Sequence, residues 1–264
     1  MMESPAPVKT FQRDKLRVEI YRNRSLLGRA AAIAAAGEIR SLLARKGNLS
    51  IVFASAPSQT EFLAELSSAE GILWSRVTAF HLDEYVGLPD DAPQNFGNFL
   101  RLRIFQIVNP GMVHYINGNA PNLEEECRRY SDLLKQHPLD VACIGIGENG
   151  HIAFNDPPFV DFDDPSLIKI VQPDLTSRIQ QVHDGCFDAL EKVPVSALSL
   201  TIPAVMSAKA IFCMVPAPTK AAAVKKTLEW PITTDCPASV LRRHQRATLF
   251  LDMDSAGLLA VDSL

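Results

Sequence analysis

Short apolar runs alternate along this chain with longer stretches in which apolar residues recur every three or four positions. Residues 49–55 (LSIVFAS), 77–82 (VTAFHL), 140–146 (DVACIGI), 210–215 (AIFCMV) and 247–251 (ATLFL) are short and rich in β-branched or aromatic side chains. They are predicted to be buried strands. Between them, residues 25–45, 60–66, 98–107, 123–135, 219–228 and 254–259 carry helical periodicity, with Ser25 as the expected N-cap of the first. Near-continuous apolar strands alternating with helices predict a sheet covered on both faces. The expected fold is α/β, doubly wound and Rossmann-like, with a mostly parallel sheet. No repeat, low-complexity tract or long linker interrupts the pattern, so residues 1–264 are read as one domain. In such sheets ligands sit beyond the carboxyl ends of the strands, which directs attention to the loops after Phe53, Leu82, Ile146 and Val215.

Composition narrows the class. The chain has 264 residues, 47% of them hydrophobic, enough for a sizeable core. Lys and Arg number 26 against 30 Asp and Glu, and no basic run is present, so no nucleic-acid partner is expected. No apolar stretch approaches the ~20 residues of a membrane span. The polar amino-terminal segment lacks the shape of a secretory signal, and the five cysteines never form C-x-x-C. Reduced thiols and a cytoplasmic protein are therefore expected. The six histidines are dispersed without ligand spacing, so no metal or other cofactor is expected.

Four segments carry candidate chemistry. At residues 81–88 (HLDEYVGL) two adjacent carboxylates, Asp83 and Glu84, leave a predicted strand. Such acids are costly to bury unless paired, solvated or used, and a buried carboxylate can move a proton near neutrality. At residues 145–156 (GIGENGHIAFND) three glycines, Gly147 among them, allow close approach to the backbone, and His151 is flanked by Glu148, Asn149 and Asp156. By residue type alone, His151 reads either as a proton carrier or as a buried imidazole satisfied by a carbonyl. In the loop Ser55, Ala56, Pro57, Ser58, Gln59, a strand gives way to a helix whose free N–H groups suit an anion, or whose start is merely capped. Lys220 stands at a predicted helix start, where a cation is unfavourable unless an anion binds beside it. Arg178 is a weaker anion-binding candidate.

Taken together, these segments resemble the glucosamine-6-phosphate deaminase (isomerase) family, which is related to the 6-phosphogluconolactonases. The resemblance rests on LDEYVGL at residues 82–88, NGNAP at 117–121 and GIGENGHIAFNDP at 145–157. It implies a small-molecule partner, an aminosugar 6-phosphate, converted with water to fructose 6-phosphate and ammonia. It assigns Asp83 as the base between C2 and C1 and His151 as the ring-opening group. It places Ser55 to Gln59 and Lys220 at the 6-phosphate. Homologues can be oligomeric, so assembly into a homo-oligomer stays open.

The chain also departs from that pattern. Asn149 and Asp156 stand where the family has an aspartate and a glutamate. Either Glu148 supplies the missing carboxylate or the histidine works with one acid. Ser55 and Ala56 replace paired glycines, and Pro57 removes an N–H, leaving the Ser55 or Ser58 hydroxyl to take over. The family's phosphate-binding arginine has no clean counterpart, Arg178 being the nearest arginine and His183 lying closer to the expected place. These changes keep three alternatives in play: another sugar phosphate such as galactosamine 6-phosphate, a lactone, or a non-catalytic sugar-phosphate-binding protein.

Overall fold

The strands of the computed structural model, which describes residues 4–157 and 160–259, gather mainly into one eight-stranded sheet. In chain order the elements are β1 (Lys9–Arg13), β2 (Leu16–Tyr21), α1 (Arg24–Lys46), β3 (Leu49–Phe53), α2 (Thr60–Ser67), β4 (Val77–His81) and β5 (Asp83–Tyr85). Next come α3 (Phe96–Leu100), a π-helical turn (Arg101–Phe105) running into α4 (Gln106–Val108), β6 (Met112–His114), α5 (Leu123–Gln136) and β7 (Val141–Ile144). The chain closes with β8 (Ile168–Val171), α6 (Leu175–His183), β9 (Ala197–Leu200), α7 (Ile202–Met206), β10 (Ala210–Val215), α8 (Ala221–Glu229) and β11 (Ala247–Asp252).

The large sheet has the order β1-β2-β11-β10-β7-β3-β4-β6 and is parallel except at the β1–β2 hairpin. Its inner strands are buried along their whole length, as their apolar runs predict. The chain lays down β3, β4 and β6 in one direction and then returns to place β7 and β10 on the other side of β3. That reversal opens a crevice at the carboxyl ends of β3 and β7. A second, antiparallel sheet, β5-β9-β8, stands beyond those ends and forms the far wall.

The expected mostly parallel, doubly wound fold is present, with three local corrections. The N-cap of α1 is Asn23, whose side chain accepts from the Leu26 N–H, rather than Ser25. Residues 254–259 form turns instead of a helix. There the Asp252 carboxylate takes the Ser255 N–H, so local side-chain bonds compete with helical ones. The strands β1, β2, β5, β6, β8 and β9 lie outside the predicted runs; β1, β2 and β8 have exposed positions and lack the continuous apolar run used as the signal, and β5 and β6 are only three residues long. Helices α1 and α2 cross closely at Gly28, where a Cβ would lie 2.6 Å from that of Glu61. This contact seats the loop between β3 and α2. Among the described residues no helix is long and apolar enough to cross a membrane.

Candidate active site

Four strand ends supply the site. At the end of β4 the His81 ring is fully buried; its Nε2 accepts the Ile116 N–H at 2.9 Å, so Nδ1 carries the proton and donates to the Asp83 carbonyl at 2.8 Å. Burial pushes the His81 pKa down to about 4, so the ring is neutral at pH 7. It acts as a brace that holds the backbone where the chain leaves β4 and enters β5 in the other sheet.

The two acids that follow have different fates. Glu84 accepts the N–H groups of Tyr85, Phe96 and Gly97 at 3.0, 2.9 and 2.8 Å, so it caps the start of α3. Burial nevertheless pushes its pKa up to about 7. Asp83 faces the crevice, 7% exposed, and among the described residues no donor meets its carboxylate. Burial and the neighbouring Glu84 charge raise its pKa well above the ordinary value. A carboxylate in this state is poised to take a proton from carbon.

Across the crevice, the loop after β7 presents His151. Gly147 is required there: a Cβ on it would lie 2.1–2.4 Å from three atoms of the imidazole. Gly150, at φ +91°, turns the chain so that the Asn149 Oδ1 accepts the His151 N–H at 3.0 Å. On the ring's far side the Ser177 Oγ lies 2.7 Å from Nδ1, and the Ser177 hydroxyl donates in turn to the Asp156 Oδ1. Asp156 itself lies 3.1 Å from Nδ1. Although burial opposes its ionisation, hydrogen bonds from His151, Ser177 and Asn149 hold its carboxyl well below the usual carboxylate range. With the Ser177 hydroxyl hydrogen directed at Asp156, its Oγ accepts the Nδ1 N–H, and Nε2 is the nitrogen available to a ligand.

The anion end lies at the β3 and β10 loops. Ser55, Ala56, Ser58, Gln59 and Lys220 line the crevice together with Gly147 and His151. Among the described residues the buried Ser55 hydroxyl has no hydrogen-bond partner, and Gln59 is fixed by donating to the Met214 carbonyl at 3.3 Å. Lys220 is 4% exposed; burial lowers its pKa, while Asp184 and Glu148 favour its charged form. The turn that delivers it starts at Ala217, at φ +87° and ψ 150°, a conformation that costs ~1–3 kcal/mol for a residue with a Cβ. The Asp252 carboxylate holds it there by accepting the Ala217 N–H.

Two sequence expectations need correction. Arg178 does not reach the crevice: its guanidinium donates to the Leu190 and Val193 carbonyls, both at 3.0 Å. On α6 the inward stripe is Ser177, Gln180 and Gln181, and Arg178 lies one helical step off it. Glu148 does not replace a carboxylate at position 149. Its side chain turns to the His183 ring at 3.5 Å, while its N–H donates to the Gln180 side chain.

Residues that the sequence reading missed come from α6. Gln180 and Gln181 line the crevice, Ser177 touches His151, and Asp174 accepts from Asn149. The available signal was Asp174 three positions before Ser177, an N-cap spacing that starts a helix whose polar residues fall on one face.

Comparison with known proteins adds an independent line. Residues 22–250 match the family model of glucosamine-6-phosphate isomerases/6-phosphogluconolactonase. The glucosamine-6-phosphate deaminase of Lactobacillus delbrueckii subsp. bulgaricus is 32% identical over 244 residues, covering 92% of this chain and all of the relative. That of Bacillus cytotoxicus is 36% identical over 222 residues, 83% of this chain and 82% of the relative. Among solved structures, a monomeric glucosamine-6-phosphate deaminase superposes with a TM-score of 0.83 at 31% identity, covering 91% of this chain and 99% of that one. A 6-phosphogluconolactonase from Thermotoga maritima shares the fold, with a TM-score of 0.72 at 18% identity over 90% of this chain and all of its own.

Proposed function

Since the chain belongs to the family of glucosamine-6-phosphate isomerases and 6-phosphogluconolactonases, we propose that it is the deaminating member of the pair, an enzyme that converts glucosamine 6-phosphate and water to fructose 6-phosphate and ammonia. The observation that carries this reading is a buried carboxylate, Asp83, without a donor among the described residues, in one crevice with an imidazole whose Nδ1 is already engaged.

Each residue then has a task. Lys220 and the Ser55 hydroxyl hold the 6-phosphate, which fixes the register of the sugar far from the reacting carbons. His151 takes the proton from the anomeric hydroxyl and delivers it to the ring oxygen, opening the ring. Asp83 removes the C2 proton, the C2–H electron pair forms the C1–C2 double bond, and the C1 carbonyl pair moves to O1, which takes a proton from the substrate ammonium to give an enolamine. Return of that proton to C1 leaves a C2 iminium. Water adds to C2, and ammonia leaves as the ketone forms. Asp156, behind the ring, stabilises the imidazolium that appears on the way. The phosphorylated substrate does not cross a lipid bilayer unaided, which sets the reaction in the cytoplasm.

Lactone hydrolysis would leave Asp83 without a proton to move, so it is the weaker reading. Lys220 is the one cation lining the crevice among the described residues, with the neutral Gln181 beside it, and the epimeric galactosamine 6-phosphate is the alternative sugar to test. The assay is ammonia release from purified protein on each aminosugar phosphate, with 6-phosphogluconolactone hydrolysis measured in parallel. Turnover at ~1–10³ s⁻¹ on an aminosugar supports the reading and names the epimer. Lactone hydrolysis without ammonia release would overturn it.

A further inference from the structure

Asn149 makes little sense by itself and good sense beside Asp174. Its Oδ1 accepts the His151 N–H at 3.0 Å, a task an aspartate would perform equally well. Its Nδ2 is the discriminating atom. That amide donates to the Asp156 Oδ1 at 3.0 Å and the Asp174 Oδ2 at 3.2 Å, with the Ser177 Oγ at 3.4 Å. An aspartate at 149 would set a third carboxylate against two others, each at about hydrogen-bond distance. An amide there requires acids around it, and two of them are present.

Asp174 is locked into this arrangement from both ends. Its Oδ1 caps α6 by accepting the Ser177 N–H at 2.7 Å, and its own N–H donates to the Asp156 Oδ2 at 2.9 Å. The cap also sets Ser177, whose hydroxyl bridges His151 and Asp156. The start of α6 is thus assembled on the carboxylate that backs the histidine.

We infer that Asp174 and Ser177 are positioning residues of the proton-transfer histidine, with the second carboxylate of that network carried by α6 and reached through Asn149. Asn149 and Asp174 form a complementary amide–carboxylate pair, so exchanging the two keeps the number of carboxylates behind the ring unchanged. The assignment rests on the reading of His151 as the ring-opening group, but its test does not depend on the sugar.

The experiment is a charge-swap cycle of Asn149→Asp, Asp174→Asn and the double variant, read in two ways. The first is titration of the His151 ring by NMR in the ligand-free protein. Among the described residues the charges around that ring are Asp156 directly behind it, Asp174 reached through Asn149, and Asp83 and Lys220 lining the same crevice, and the swap leaves the last two unaltered. Asp174→Asn, which keeps an N-cap residue, moves the His151 titration to lower pH, Asn149→Asp moves it to higher pH, and the double variant returns it close to the parent. The second is turnover: Asn149→Asp lowers kcat about tenfold or more with KM within about threefold, and the double variant recovers most of it. Ser177→Ala lowers kcat in the same way, while Ser177→Thr, which keeps the hydroxyl, restores it. Should Asn149→Asp fail to fold, Asp174→Asn and the Ser177 pair still report.

Independent, non-cancelling effects in the cycle, or a Ser177→Ala variant with parental kcat and His151 titration, would overturn the inference. A coupled titration in a protein that releases no ammonia would remove the proposed reaction and leave the pair standing. Normal turnover with an uncoupled titration would do the reverse.

Discussion

The two ends of the large sheet each bury an aspartate and treat it in opposite ways. At the amino end Asp140, 1% exposed, accepts from the Lys46 Nζ at 2.5 and 2.7 Å, the Lys209 Nζ at 2.9 Å and the Ser50 N–H at 3.0 Å. Burial alone would raise its pKa, and the two ammonium groups and the Ser50 N–H outweigh burial and lower it. At the carboxyl end Asp83 is about as deeply buried, meets no donor among the described residues, and its pKa is raised by burial and by Glu84. A charge that only ties strands together is neutralised where it stands. A charge that must take up a proton is left without partners, at a cost in stability.

The sharpest way to break this contrast is Asp83→Asn. Turnover falls at least ~10²-fold, the lower range for loss of a general base. The same variant gains stability. Because the folded-state pKa of Asp83 lies above its unfolded value, the folded protein binds more protons between the two, and its stability drops as pH rises through that window. Removing the acid abolishes that drop, so the gain in Tm is larger at pH 8 than at pH 5. A variant with parental ammonia release, or one less stable at pH 8, would refute the role given to Asp83.

Next in size is Gly147→Ala. The added methyl occupies space now filled by the imidazole, displaces His151 and lowers kcat by ~10–10²-fold, as expected for misplacement of a reacting group by about 1 Å. His151 chemical shifts report the displacement directly, and unchanged shifts with unchanged kcat would count against it.

The smallest effect on turnover belongs to the other end of the sheet. Asp140→Asn leaves kcat unaltered and costs about 1–3 kcal/mol of stability at pH 7 by weakening buried charge-assisted bonds. Here the folded-state pKa is depressed, so the contribution is present above the unfolded value and is lost as pH falls through the folded one. The difference in Tm between parent and variant therefore shrinks on acidification. A change in kcat at this distance would weaken the division of labour between the ends.

Much of this was legible along the chain. The strands β3, β4, β7, β10 and β11 are read from apolar runs because both their faces are covered, and burial leaves a continuous signature. The hairpin β1–β2 and strand β8 were not read, since exposed and buried positions share them. Asp83, His151, Lys220 and the Ser55–Gln59 loop stand out by residue type at predicted strand ends, and all of them line one crevice. Arg178 failed for a rotational reason. On α6 the inward stripe is Ser177, Gln180 and Gln181, and Arg178, one residue past Ser177 and so about 100° round the helix, meets the Leu190 and Val193 carbonyls instead.

The sequence by itself determined the layered α/β architecture, the strand ends where chemistry collects and the acid–imidazole pair, because those follow from burial periodicity and from which side chains hold protons near neutrality. Only the tertiary structure decided which of two adjacent acids is free. Glu84 meets three N–H groups that arrive from its own and a later segment, and among the described residues Asp83 meets none. It also decided that one partner of the His151 ring comes from α6, with Ser177 lying 26 positions further along the chain. Hydrogen-bond partnership depends on distances of a fraction of an ångström between segments far apart in sequence, and no local pattern of residues encodes that.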